Sequence, residues 1–170
     1  MFRNTLRFIV IVALSALSQE PAAQTRAHSG TLVVIADRDK PLTLKLSDLA
    51  AMPRTKITVK LPDGRGVVHE GVLVAELLKR AGAPLGKALR GDAMASYVVA
   101  SATDGYRVVF SLAELDPEFT GSEIIVADRA NGDALLPDQG PIRIIAPKDV
   151  PGARSMRMLE RIELIRLPKH

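Results

Sequence analysis

The chain has 170 residues, 47% of them hydrophobic, with no cysteine, no tryptophan and a formal charge of +4. Without cysteine there can be neither a disulfide nor a thiol nucleophile, so the fold must stand on apolar burial alone. Two tyrosines and four phenylalanines are too few to interleave with a basic run, which argues against a nucleic-acid partner.

Residues 1–18 read as a secretory signal peptide. Arg3 and Arg7 form a basic start, Phe8 to Leu17 an apolar stretch, and Ala16 and Ser18 the small residues before a cleavage site. Cleavage is expected after Ser18, with Ala23 as a second possibility. The apolar run is well short of the roughly 20 residues a membrane helix needs, so no membrane span is expected once the signal is removed. Arg3 and Arg7 are not adjacent and make no twin-arginine signal. The expectation is a chain exported unfolded to the periplasm or the medium. Loss of residues 1–18 lowers the formal charge from +4 to +2. Residues 19–30 are a polar, Pro- and Ala-bearing linker, and residues 31–170 suit a single domain with one core.

Ordered structure is expected from Thr31, where Leu32-Val33-Val34-Ile35 is a β-branched run. Leu42-Thr43-Leu44 is a second extended segment, and Ser47 is placed to cap a short helix through Met52, ended by Pro53. Ile57, Val59 and Leu61 alternate with Lys56, Thr58 and Lys60, the pattern of a half-buried strand. After the turn residues Pro62-Asp63-Gly64-Arg65, Val67 to Glu70 returns as its partner. Leu73, Leu77, Leu78 and Ala81 recur at helical spacing, which predicts a helix over Val74 to Ala81 closed by Gly82. Tyr97–Ala102 and Tyr106–Phe110 flank Thr103-Asp104-Gly105 as a hairpin. Ser111 and Glu114 have capping-box spacing for one helical turn that stops at Pro117. Ile124–Ala127, Ile142–Ala146 and Ile162–Leu167 read as further strands, with Asn131-Gly132 as a turn. The class is α+β, a single domain with a mixed, largely antiparallel sheet and short helices. Leu77, Leu78, Val99, Val108, Ile144 and Ile162 are expected in one core.

Four stretches, taken in order, carry a family resemblance. They are Glu70-Gly71-Val72-Leu73-Val74-Ala75-Glu76-Leu77-Leu78, Ala102-Thr103-Asp104-Gly105-Tyr106 with Ser111 to Leu115, Gly140-Pro141-Ile142-Arg143-Ile144, and Gly152-Ala153-Arg154-Ser155-Met156-Arg157 with Ile162-Glu163. Together they resemble the molybdopterin-binding domain of sulfite-oxidase-type oxidoreductases, over roughly Lys56 to Leu167. The resemblance implies a molybdenum held by a cysteine thiolate just after the strand Ile57 to Leu61. At that point this chain has Pro62-Asp63-Gly64, and neither proline nor a loop aspartate replaces a soft thiolate. Arg154 matches an arginine that faces the substrate anion in the family, and Arg157 stands where the family has a lysine close to the pterin.

The candidate anion-binding residues are therefore Arg154, Arg157, Asp104 and Tyr106, with the two guanidiniums expected to converge near the Asp104–Tyr106 hairpin. Asp104 is also a plain turn residue, and Tyr106 is expected in the core or half-buried, with its hydroxyl satisfied at the rim. His69 beside Glu70 is a lone histidine, structural or surface by default. His28, His69 and His170 have no metal-ligand spacing. The sequence thus reads as an exported, non-catalytic domain of this fold that binds a small oxyanion or a partner protein and carries no cofactor. A molybdopterin-dependent oxidoreductase with atypical metal ligation is the alternative, and an adaptor without a ligand pocket is a third reading.

Overall fold

The computed structural model describes residues 30–37, 39–150 and 152–168. The signal-peptide segment, the linker except Gly30, and His28 and His170 lie outside the described residues. In chain order the elements are β1 (Thr31–Ile35), β2 (Leu42–Lys45), α1 (Leu46–Ala50), β3 (Thr55–Lys60), β4 (Gly66–Leu73) and α2 (Val74–Arg80). Then come β5 (Tyr97–Ala102), β6 (Arg107–Ser111), α3 (Leu112–Leu115), α4 (Pro117–Thr120), β7 (Ile125–Ala130), β8 (Asp133–Ala134), β9 (Arg143–Ile145) and β10 (Leu159–Ile165).

These strands divide between two sheets. The first has the order β2-β1-β10-β5-β6; the second runs β3-β4-β7, with β8 and β9 both lying along the far side of β7. The β1–β10 pairing is parallel and the other described pairings are antiparallel. The expected α+β class and largely antiparallel pairing are what the structure has. Among the described residues no helix is long and apolar enough to cross a membrane.

One large cluster joins the inner faces of both sheets to the helices. Leu32, Ala100, Leu77, Leu78, Phe110, Ile144 and Ile162 are all within 1% of full burial there. Five of the six expected core residues belong to it; Val99 does not. In β5 the buried residues are Val98, Ala100 and Ala102, so Val99 points to the opposite face. The run Tyr97-Val98-Val99 is apolar on both faces, and alternation alone does not say which face is inside.

Local boundaries follow from capping chemistry. Helix α1 starts one residue before Ser47, because the Asp48 carboxylate accepts the Lys45 backbone N–H at 2.8 Å and the serine cap is not needed. Helix α2 ends as expected: Gly82 has φ +89°, Ala83 N–H donates to Leu78 O and Gly82 N–H to Lys79 O, the paired bonds of a Schellman motif. The Ser111–Glu114 capping box is formed in both directions, at 3.1 and 3.2 Å. Pro117, expected as a stop, opens a second turn with Asp116 as its cap, since proline at the first helical position loses no hydrogen bond.

The second sheet contains a bulge. Strand β4 pairs Glu70 with Arg129 but Gly71 with Ala127, which leaves Asp128 as an extra residue on β7. A Cβ at Gly71 would fall on the Val126 carbonyl oxygen and 2.6 Å from Ala127 Cα, so only glycine permits this approach. The extra residue is used. Both Asp128 oxygens take the Arg54 guanidinium, whose Nε also donates to Glu70 at 3.2 Å and whose Nη1 reaches Leu49 O at 3.4 Å. Arg54 is held protonated above its ordinary range, first by Asp128 and then by Glu70.

Candidate functional site

The β5–β6 hairpin forms at Thr103-Asp104-Gly105, with Gly105 at φ +88° and the Asp104 carboxylate accepting the Tyr106 N–H at 2.9 Å. Its tip grips the C-terminal segment at two points. The Tyr106 hydroxyl donates to Ala153 O at 3.2 Å, and Thr103 N–H donates to Met158 O at 3.1 Å. Tyr106 is 50% exposed and so is not a core residue, because it stands at the open end of the edge strand. The structure therefore does bring the hairpin against the segment that carries both arginines.

The two guanidiniums nevertheless have different surroundings. Arg154 is neutralised within the chain: Nε and Nη2 take both oxygens of Asp149 at 2.7 and 2.9 Å, and Nη2 also reaches Glu114 at 2.6 Å. Its Nη1 donates to Val109 O at 3.3 Å, and its Cζ lies 4.6 Å from the centre of the Phe110 ring. Asp149 first, then Glu114, raise its pKa further above the ordinary arginine value. This cation joins the free edge of β6 to the loop after Pro147. A cleft of about 290 Å³ opens beside it, lined by Glu114, Thr120, Ser122, Ile124, Ala146 and Lys148 among others. Its charged groups are already engaged, Glu114 by Arg154 and Lys148 by the carbonyls of Thr120 and Gly121.

Arg157 is placed by its neighbours. Met156 O accepts from Ile144 N–H, and Met158 N–H donates to Gln139 O, so the segment is laced to β9 and its entry loop. The Arg157 side chain is 52% exposed and 4.0 Å from Asp138, which is itself 65% exposed. Beside it lies Arg143, whose Nη1 donates to Gln139 Oε1 at 2.6 Å while its buried Nε has no partner among the described residues. Burial, and then the charge of Arg157, lower the pKa of Arg143; Asp138 partly offsets this.

Strand register puts a further group on the same face. Ile57 pairs with His69, Thr55 with Gly71, Gly71 with Ala127, and Ala127 with Arg143. His69 and Arg143 thus flank a floor made of Gly71 and Ala127, two residues with almost no side chain. His69 is 7% exposed, and its Nδ1 has no partner among the described residues. Burial, and secondarily the Arg143 charge, push its pKa down to about 4, against a smaller opposing effect of the Arg129 backbone. A neutral imidazole, a partly buried guanidinium and a half-exposed guanidinium therefore lie together. No carboxylate of the described residues is in hydrogen-bond contact with either arginine of this cluster, whereas Arg154 and Arg54 each have two.

Of the four expected site residues, Arg157 belongs to this cluster, Arg154 and Tyr106 hold the segment that presents it, and Asp104 only shapes the hairpin turn. The sequence reading passed over Arg143 and took His69 as a structural or surface residue. The signal that could have found Arg143 is an arginine inside the apolar run Ile142-Arg143-Ile144-Ile145, where alternation puts it on a sheet face. The turn after β3 offers no soft donor, and Asp63 is bound to the Arg65 backbone and side chain at 3.0 and 2.8 Å. Among the described residues no three His, Asp or Glu side chains are grouped to hold a metal ion.

Comparison with known proteins agrees with this geometry at the level of the fold. The family model described as the oxidoreductase molybdopterin-binding domain matches residues 65–170. Among solved structures, the sulfane dehydrogenase SoxCD from Paracoccus pantotrophus superposes with a TM-score of 0.62 at 19% identity. The match covers 81% of this chain and 39% of that one, so the chain spans well under half of its structural neighbour. No curated protein matches the chain.

Proposed function

The chain belongs to the oxidoreductase molybdopterin-binding domain family, and from that premise we propose that it is an exported, non-catalytic member that binds a small oxyanion or an acidic group of a partner protein. The observation that carries the proposal is the Arg143–Arg157 pair. Two guanidiniums lie close enough for one to depress the pKa of the other, and the exposed Asp138, which pairs with Arg157 at 4.0 Å and only partly offsets that effect, is hydrogen-bonded to neither. Such a pair is electrostatically unfavourable by itself and becomes favourable when an anion neutralises it. Arg157 supplies the accessible fork, and Arg143 supplies charge from behind.

The donor set does not fit molybdenum. The family's thiolate has no counterpart in a chain without cysteine, and the β3–β4 turn carries an aspartate already engaged by Arg65. The alternative, an oxidoreductase with atypical ligation, draws its support from family membership.

Two measurements test the reading. Calorimetric titration of the purified protein with sodium sulfate and with sodium phosphate should show saturable binding that weakens steeply with added salt. Arg157→Ala should lower that affinity about tenfold or more, a loss matching about 1.4 kcal/mol. Its thermal midpoint should not move, because the side chain is half exposed. An Arg157→Ala protein that binds as well as the wild type removes the anion site. Separately, protein isolated from its native compartment should hold less than stoichiometric molybdenum, and a stoichiometric content would replace this reading with the enzymatic one.

A further inference from the structure

Two buried polar atoms beside Arg157 have opposite needs. The Arg143 Nε–H is buried without an acceptor among the described residues, and Nδ1 of His69, a residue only 7% exposed, is buried without a donor. The two side chains stand on either side of Gly71 and Ala127 on the second sheet, close enough for the Arg143 charge to act on the imidazole. They do not satisfy each other. Arg143 can only donate, and its Nη1 is already given to Gln139 Oε1 at 2.6 Å.

The other ring nitrogen decides what Nδ1 can accept. The Arg129 backbone engages the imidazole in a way that favours its protonated form, which is the contact of a ring N–H with a carbonyl oxygen. With Nδ1 unpartnered, that contact falls to Nε2. Nε2 then carries the proton of the neutral ring, and Nδ1 presents a bare lone pair. A ligand that reaches both atoms must offer an acceptor to Arg143 and a donor to His69. An acceptor-only anion serves the arginine but sets its own lone pairs against Nδ1, which stays unpaired. Sulfate is such an anion, and so is the carboxylate of a partner protein. Hydrogenphosphate keeps an O–H at neutral pH and meets both requirements through two of its oxygens.

We propose that this cluster takes a free oxyanion that retains a proton at neutral pH, of the hydrogenphosphate class. Its O–H is donated to His69 Nδ1, a deprotonated oxygen accepts from Arg143 Nε, and Arg157, 52% exposed, holds the side open to solvent. This rests on the anion-binding reading of the Arg143–Arg157 pair and narrows it from any acidic group to one that also carries a donor.

Calorimetric titration of the purified protein at neutral pH with sodium phosphate, sodium sulfate and sodium monofluorophosphate tests it. Monofluorophosphate has nearly the shape of phosphate and no proton at that pH. Charge alone ranks phosphate last, because the other two are full dianions. The demand for a donor ranks it first, by about tenfold or more. His69→Leu removes the acceptor and should lower phosphate affinity about tenfold while sulfate is held at least as well as before. If His69→Leu fails to fold, the three-anion series on the wild-type protein decides. Sulfate or monofluorophosphate bound as tightly as phosphate overturns this inference and leaves the anion site standing. The same phosphate-to-sulfate ratio with and without His69, as a water bridging the two atoms would give, also overturns it. No saturable binding of any of the three anions overturns both readings.

Discussion

Arg54 and Arg143 show how differently one residue type is used on one sheet. Arg54 reaches two carboxylates and a carbonyl, and it ties α1, β4 and β7 together. Arg54→Ala should therefore cost about 1–3 kcal/mol in urea unfolding, because it leaves the nearly buried Asp128 carboxylate without its partner. Nothing in the local sequence announced this, since the two residues are 74 positions apart. His69 makes a prediction about pH. Its pKa lies at about 4 in the folded protein against an ordinary 6.5, so between those values the unfolded chain takes up a proton that the folded chain refuses. Stability is then complete above pH 6.5 and falls as the pH drops toward 4, by up to about 1.4 kcal/mol per pH unit from this group. His69→Gln should flatten that decline in denaturation measured across the same range, with carboxylate titrations common to both proteins. A wild-type curve no steeper than that of the variant would show that His69 is not the group held neutral.

At the scale of elements, the features that local chemistry controls were legible. The Asp104-Gly105 hairpin, the Ser111–Glu114 box and the Gly82 stop each rest on residues within a few positions of one another, and each is formed. The β7 bulge was not legible. It arises where β4 and β7 are forced together, and Gly71 read only as part of a strand-to-helix stretch. Gly71→Ala should be destabilising by about 3 kcal/mol or more, since the clash is with backbone and no side chain can rotate away. Thermal unfolding would check this, and a midpoint equal to the wild type would mean that the bulge relaxes freely. Arg154 belongs to this scale too. It occupies Val109 O on the free edge of β6 and is held there by Asp149 and Glu114, a natural guard against edge-to-edge association. Arg154→Ala should expose that edge and raise aggregation on heating, measured by light scattering, more than Arg157→Ala does.

For the whole molecule, the main core is one cluster shared by two sheets, with a smaller one of Ile57, Ile125, Ala127 and Ile145, so losses in the main cluster are felt globally. Ile162, fully buried on the middle strand β10, should cost about 2–5 kcal/mol on truncation to alanine, with a single cooperative unfolding transition retained. An unfolding curve with two separate transitions would show the sheets to be independent units. The sequence by itself determined the fold class, the positions of most strands and turns, the lack of any thiolate and the family, because periodicity, capping and motif order are properties of neighbouring residues. The tertiary structure alone decided which face of β5 is buried, how the strands are shared between two sheets, and which cations have carboxylate partners. Those outcomes depend on contacts between distant parts of the chain, and these, rather than residue type, set whether an arginine is hydrogen-bonded to two acids, as Arg154 is, or lies beside another arginine with an exposed aspartate at 4.0 Å, as Arg157 does.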